Sequence, residues 1–284
     1  MFRKLLIFGC GYVGKLFHEN TTSLFSTSYA TKQYPSDGTF IRFNEKTFLN
    51  KDNLKEVTHL LITIPPVEGE DIVLKHHAED IKNLKSLKWV GYLSTTGVYG
   101  DYSGQWVNEE TPIHPLSIQS TIRAKIERQW LSLWKDYNTP VHIFRLAGIY
   151  GPSRNIIEKL QRQNIQRIYK AGHVFSRIHV KDIVQALQSS INFPSPGDIY
   201  NVADDLPASY ADLIEEGVKL LKISYPPLIP YEEALISDRM KLFFSESRRV
   251  SNKKIKNELG VSLFYPTYKE GLRALFETIS KERR

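Results

Sequence analysis

The sequence predicts an α/β fold, a doubly wound parallel sheet with helices on both faces and a smaller C-terminal lobe. Three observations predict it. Apolar strand-like runs alternate with helical segments from residue 1 to about 150. The first run leads straight into Gly9-Cys10-Gly11-Tyr12-Val13-Gly14. After Pro152 the alternation gives way to a different pattern. With 284 residues, 41% of them hydrophobic, the chain can bury one large α/β unit or two coupled domains. It divides into residues 1–150, to which 178–203 return, and a lobe over 151–284.

Taken in order, strand one is expected at 4–8, and helix one carries Val13, Leu16 and Phe17 until Asn20-Thr21-Thr22-Ser23 ends it. Strand two is placed at 24–28, with a tip at 29–32, and another short strand at 39–43. Residues 59–64 form a buried strand closed by Pro65-Pro66, which cannot continue it. Residues 70–86 are helical, 89–93 a strand, and 119–137 a long helix with Ile122, Ile126, Trp130 and Leu133 on one face. A strand at 141–146 precedes the turn Ala147-Gly148-Ile149-Tyr150-Gly151-Pro152. Beyond it, helices are expected at 155–163, from 177–183 to about 190, and at 210–221, 252–259 and 268–280, with a strand at 198–202.

A strand running into Gly-x-Gly-x-x-Gly and then a helix fits a dinucleotide: Gly9 for the tight turn, Gly11 for close approach of a pyrophosphate, Gly14 for helix packing. The helix N-terminus adds free N–H groups for the phosphates. Cys10 is a small residue fitted to that turn. Sites that prefer NAD place an acid at the tip of strand two, yet none occurs between Glu19 and Asp37. Ser28, Thr31 and Lys32 are instead placed to hold a 2′-phosphate, so NADP is expected over NAD, while Lys32 also reads as a solvated strand end. Pro65 and Pro66 fall near the adenosine.

The single cysteine permits no intramolecular disulfide and points to a reducing compartment. No signal peptide or membrane-spanning run is read, so a soluble cytoplasmic protein is expected. Net charge is +7, but the basic groups, densest at Arg248-Arg249, 253–256 and 281–284, read as solvated helix faces rather than a nucleic-acid site. His76 and His77 are adjacent and point to different helix faces, so no metal site is expected.

At this point the chain resembles the extended and atypical short-chain dehydrogenases/reductases, specifically the NAD(P)-dependent epimerase/dehydratase group. The resemblance rests on the glycine loop, Pro65-Pro66, Ser94-Thr95-Thr96-Gly97-Val98-Tyr99-Gly100-Asp101, Arg145 through Pro152, Arg177-Ile178-His179-Val180-Lys181-Asp182, Tyr200-Asn201-Val202-Ala203-Asp204-Asp205, and Arg249-Val250-Ser251-Asn252. It implies a Rossmann-type domain, a small substrate lobe, a nicotinamide cofactor and a Ser/Thr, Tyr, Lys catalytic set. Thr95 takes the Ser/Thr position. The Tyr-x-x-x-Lys motif is matched to Thr121-Ile122-Arg123-Ala124-Lys125, with Thr121 in place of the tyrosine. Tyr99 and Tyr102 could supply a phenol, although Tyr99 also reads as a packing element. The implied cofactor contacts take in Tyr12, Val13, Ile64, Lys125, Ala147 and Gly148. Asp71 is matched to an atypical-subgroup acid. Phe175 stands where nucleotide-sugar enzymes of the family carry a phosphate-binding Arg. The implied partners are a small carbonyl or hydroxyl substrate, sugar-like in one reading, and a second copy of the chain docked through the helices at 70–86 and 119–137. Trp130 and Trp134 belong either to that face or to the monomer core. The missing tyrosine leaves two expectations, an NADP-preferring oxidoreductase or epimerase/dehydratase, and an NADP(H)-binding sensor or scaffold that has lost catalysis.

Overall fold

The computed structural model describes residues 2–162 and 165–282. In chain order the elements are β1 (Lys4–Phe8), α1 (Tyr12–Thr21), β2 (Thr27–Lys32), β3 (Ile41–Arg42), α2 (Lys51–Leu54), β4 (His59–Ile62), α3 (Ile72–Asn83), β5 (Trp89–Thr95), β6 (Trp106–Val107), α4 (Ile118–Tyr137), β7 (Val141–Leu146), β8 (Gly148–Tyr150), α5 (Ile156–Gln161), β9 (Arg167–Tyr169), β10 (Arg177–His179), α6 (Val180–Asn192), β11 (Ile199–Val202), α7 (Tyr210–Leu221), β12 (Leu228–Pro230), α8 (Asp238–Ser245), β13 (Arg249–Val250), α9 (Lys253–Leu259) and α10 (Tyr268–Glu282). The expected end of the helix at 155–163 and the last two residues of the basic C-terminal group lie outside the described residues.

Seven parallel strands form one sheet in the order β11-β7-β5-β4-β1-β2-β3. Strand order reverses between β1 and β4, and in such sheets the crevice for a ligand opens at the carboxyl ends of the strands flanking that reversal. Leu5 to Phe8, Leu60 to Ile62 and Val90 are all inaccessible to solvent, because both faces of a parallel sheet are covered. On one face Leu6, Phe8, Leu60, Ile62, Val90 and Tyr92 pack with Val73 and Ile81 of α3 and with Ile126, Trp130 and Leu133 of α4. Trp130 is fully buried, and its indole N–H donates to Asp71 Oδ2 at 2.9 Å. Asp71 also caps α3 by accepting from the N–H groups of Val73 and Leu74. The expected apolar face of the long helix is therefore this core, and Trp130 belongs to the monomer.

The second strand is displaced from its expected place at 24–28. Thr22–Leu24 is a 3₁₀ turn, and β2 pairs with β1 from Lys4↔Thr27 to Ile7↔Ala30. The apolar signal at Phe25 is real but is met by burial in a turn, with its ring edge-on to His59 at 5.1 Å. A polar-looking segment forms the strand because its buried residues, Ala30 and Thr31, are small enough to fit the sheet. Two short helices, α2 and α8, carry too few apolar repeats to stand out in the sequence.

By internal packing the chain forms two compact units. The first comprises the chain up to Thr95 together with Ile118–Arg145 and Val184–Tyr200. The second comprises Thr96–Ser117, Leu146–Ile183 and the chain from Asn201 onward. The core of the second unit brings α5, α7 and α10 together through Ile157, Leu160, Ile214, Val218, Tyr268 and Leu272. Gly217 permits that approach, since a Cβ there would meet Leu160 Cδ1 at 2.6 Å.

His142 on β7 is wholly buried and stacked on Trp89, with Nδ1 3.3 Å from the Val90 carbonyl oxygen. Burial pulls it down from the usual 6.5 to about 4. As pH falls, the unfolded chain protonates this histidine near 6.5 and the folded chain only near 4, so stability is lost across that window. The expected contribution is roughly 3 kcal/mol. In urea unfolding at a series of pH values, His142→Phe should lose about that much less stability between pH 6.5 and 4 than the parent protein. An unchanged slope would refute the assignment.

Candidate functional site

The glycine loop begins where β1 ends, and each glycine has a distinct steric reason. Gly9 has φ +98°, and a Cβ there would lie 2.6 Å from Thr63 Oγ1. Gly14 sits in α1 directly over the turn, where a Cβ would collide with the Gly9 carbonyl oxygen. A Cβ on Gly11 would meet nothing within 4 Å. The backbone at Gly11 is open on the side a ligand would approach, as a pyrophosphate requires. Two threonine hydroxyls clamp the turn. Thr31 Oγ1 accepts from the Gly9 N–H at 3.0 Å, and Thr63 Oγ1 donates to the Gly9 carbonyl at 2.5 Å. The Cys10 N–H also donates to the Thr31 carbonyl at 2.8 Å. Thr63 escaped the sequence reading because a hydroxyl at the end of a buried strand leaves no motif.

Helix α1 opens with Gly11 as its N-cap, with no side-chain cap and no acid in its first turn. Its first N–H groups and dipole are thus left to attract an anion. A cleft of 380 Å³ spreads from the loop over the ends of β1, β2 and β4. Its walls are residues 9–11, 31–34, 43–45 and 63–65, with Val67 and Ile72. The shape and lining fit the adenosine half of a dinucleotide: open backbone at Gly11, apolar flanks at Phe43 and Ile64, and polar groups at the β2 tip. The Lys32 ammonium lies 3.8 Å from the centre of the Phe40 ring, which holds it at the tip. Burial pushes the Cys10 thiol above its usual range, away from the reactive thiolate.

The other expected contacts are distributed as follows. Tyr12 and Val13 form the first turn of α1, with Val13 buried. Ile64 and Pro65 line the cleft, and Pro66 does not. Ser28 is mid-strand opposite Leu5, away from the cleft lining, because β2 extends to Lys32. Ala147 and Gly148 belong to the second unit, where their N–H groups donate to the carbonyls of Val202 and Ser176.

Thr95 is the last residue of β5 and half-buried. Before it, Ser94 donates to Glu127 Oε1 at 2.5 Å, and Glu127 is held by Arg145 through Nη2 at 2.8 Å and Nε at 3.2 Å. Arg145 and Glu127 are both buried, so Arg145 is a structural partner. On α4, Thr121 and Lys125 are exposed and share a face with exposed Arg128 and Ser132. Glu127 and Arg123 both hydrogen-bond β5 from α4; Arg123 Nη1 donates to the Leu93 carbonyl at 2.8 Å and to the Tyr92 hydroxyl at 2.9 Å.

In the second unit Tyr99 is fully buried and its hydroxyl donates to Asn201 Oδ1 at 2.9 Å. The Tyr102 hydroxyl donates to the Pro112 carbonyl at 2.6 Å. His179 Nδ1 accepts from the Lys181 N–H, and Asp182 accepts from the N–H groups of Phe264 and Tyr265. Burial raises Asp182 to about 6. Arg177 is buried with its guanidinium 3.7 Å from the Phe175 ring centre, and Nη2 donates to the carbonyls of Ala208 and Ser209. Among the described residues no three His, Cys, Asp or Glu side chains group as metal ligands, and no helix is long and apolar enough to cross a membrane.

A conserved protein of unknown function from Silicibacter pomeroyi DSS has a solved structure that superposes with TM-score 0.89 at 38% identity, covering 98% of this chain and 99% of that one. Protein YeeZ of Escherichia coli K12 is 26% identical over 223 residues, 76% of this chain and 74% of its own length. Human dTDP-D-glucose 4,6-dehydratase is 28% identical over 139 residues, 46% of this chain, and the match spans 40% of that enzyme's length. A dTDP-glucose 4,6-dehydratase from Bacillus anthracis, solved in complex with NAD, shares the fold with TM-score 0.75 at 19% identity, covering 99% and 97% of the two chains. The model of the NAD dependent epimerase/dehydratase family matches residues 78–203. Glycine loop, reversed strand order and these likenesses agree: the chain belongs to the NAD-dependent epimerase/dehydratase family.

Proposed function

We propose that this protein is an NADP-preferring oxidoreductase or epimerase/dehydratase that acts on a small, sugar-like carbonyl or hydroxyl compound. The observation that carries the cofactor preference is the β2 tip. Lys32, Gln33 and Tyr34 line the cleft there, and no acid stands where a ribose 2′-hydroxyl would be held. The one carboxylate in the lining, Glu45, comes from the segment after β3. Lys32 supplies the charge that a 2′-phosphate seeks.

A bound nicotinamide supplies hydride exchange with a carbon of the substrate. The chain's part is to hold the phosphates at Gly11 and the α1 N-terminus, and to hydrogen-bond the substrate oxygen through Thr95. Phe175, packed on Arg177, gives no cation for a substrate phosphate, which favours a compound without a nucleotide diphosphate. The hydroxyls of Tyr99 and Tyr102 are engaged by Asn201 and Pro112, and this favours a second reading, an NADP(H)-responsive sensor or scaffold without turnover. Multiple turnovers of NADPH by the purified protein with any carbonyl compound would exclude the sensor.

In a fluorescence titration NADPH should bind at least tenfold more tightly than NADH, and Lys32→Ala should erase most of that ratio by weakening NADPH alone. Tighter NADH binding would sink the NADP reading. Gly11→Val tests the cradle itself. Because a Cβ has room at Gly11, the variant should melt within a few degrees of the parent, yet bind NADPH at least tenfold more weakly. Undiminished affinity would place the pyrophosphate elsewhere.

A further inference from the structure

We propose that Arg123, rather than Lys125, is the α4 cation that meets the ribose-nicotinamide half of the dinucleotide. The assignment rests on the dinucleotide reading above and deepens it. The cleft covers the carboxyl ends of β1, β2 and β4. β5 is the next strand outward from β4 in the sheet, so the remaining half of a dinucleotide extends over the end of β5. That end consists of Leu93, Ser94 and Thr95.

Helix α4 carries four cations, Arg123, Lys125, Arg128 and Lys135. Lys125, Arg128 and Lys135 are exposed. Arg123 is half-buried, and its Nη1 is fastened to the Leu93 carbonyl and the Tyr92 hydroxyl. Those two bonds use one of its three nitrogens. Nη2 and Nε make no hydrogen bond to any described residue, which leaves them as donors beside Thr95's strand end. A guanidinium fixed at one nitrogen and open at the other two suits the adjacent hydroxyls of a ribose. Lys125 lies two positions, about 200°, around the helix, on the face shared with Thr121 and Arg128.

The test separates the two halves of the cofactor. Arg123→Ala, Arg123→Lys, Lys125→Ala and the parent are titrated with NADPH and with 2′,5′-ADP, which carries only the adenosine side, and each is melted thermally. Arg123→Ala should weaken NADPH about tenfold or more and leave 2′,5′-ADP within twofold of the parent. Lys125→Ala should change neither. Where Arg123→Ala melts too early to titrate, Arg123→Lys keeps the bond to Leu93 but loses the fork, and should still lower NADPH relative to 2′,5′-ADP. The assignment is overturned if the Arg123 variants bind NADPH as the parent does, if they lose both ligands alike, or if Lys125→Ala alone loses NADPH. A parent protein that binds neither NADPH nor NADH overturns the dinucleotide reading and this assignment with it, whereas the preceding outcomes overturn the assignment alone.

Discussion

The buried carboxylate of Glu127 sets the rotation of α4, and much of the candidate site follows from that rotation. Glu127 accepts from Ser94 on β5 and from Arg145 on β7, so one side chain ties the helix to two neighbouring strands. Removing one partner of such a buried pair leaves an uncompensated charge at a cost of about 3–5 kcal/mol. The helix therefore cannot turn on its axis. With Glu127 facing the sheet, position 123, one turn earlier, must face it too, and positions 121 and 125 must face solvent. The Asp71–Trp130 bond holds the same rotation one turn later and joins α4 to the N-terminus of α3.

A second constraint acts at the other side of the site. The turn at Gly9 is held by hydroxyls from β2 and from the residue after β4, the strands that flank β1 in the sheet. The loop is thus shaped by its neighbours before any ligand arrives, which lowers the ordering cost of binding. It also gives Thr31 a part in shaping the loop that its place at a strand tip does not suggest. Its hydroxyl oxygen accepts from the loop's own backbone, while Lys32 and Gln33 are left to face the cleft.

The parallel sheet, the glycine turn and most helices were legible in the sequence because their signals are local. Apolar runs, glycine spacing and the 3.6-residue period of α4 each report on a few consecutive residues. The beginning of β2 was not legible, because Phe25 is apolar for the sake of a turn and Ala30 and Thr31 are small for the sake of the sheet. Neither distinction exists until β1 is in place. The same holds for α4. Thr121 and Lys125 have the spacing of a motif, and so do Gln119 and Arg123, since any two residues four apart share a helix face. The partners of Glu127 turn position 123 toward the sheet and leave 121 and 125 exposed, which the spacing alone does not foretell. Thr63 was invisible for a like reason: its role depends on the turn of a strand more than fifty positions earlier.

The proposed chemistry is narrowed by the state of three phenols, each within its own unit. Tyr92, on β5 itself, is fully buried, and burial pushes its hydroxyl far above the usual range, so it cannot cycle a proton near neutral pH. The Tyr99 and Tyr102 hydroxyls are donors to an amide and a carbonyl oxygen. At the end of β5 itself stand the Thr95 hydroxyl and the Arg123 guanidinium fastened to the Leu93 carbonyl. In the proposed reaction this pair orients a substrate oxygen and stabilises negative charge as it develops there, and the proton passes to or from water or another group of the substrate. A reaction that generates or consumes an oxyanion is therefore better matched to this site than one that depends on a strong protein-borne acid. Substrates whose own neighbouring hydroxyl can relay the proton, as sugar-like compounds have, fit that restriction.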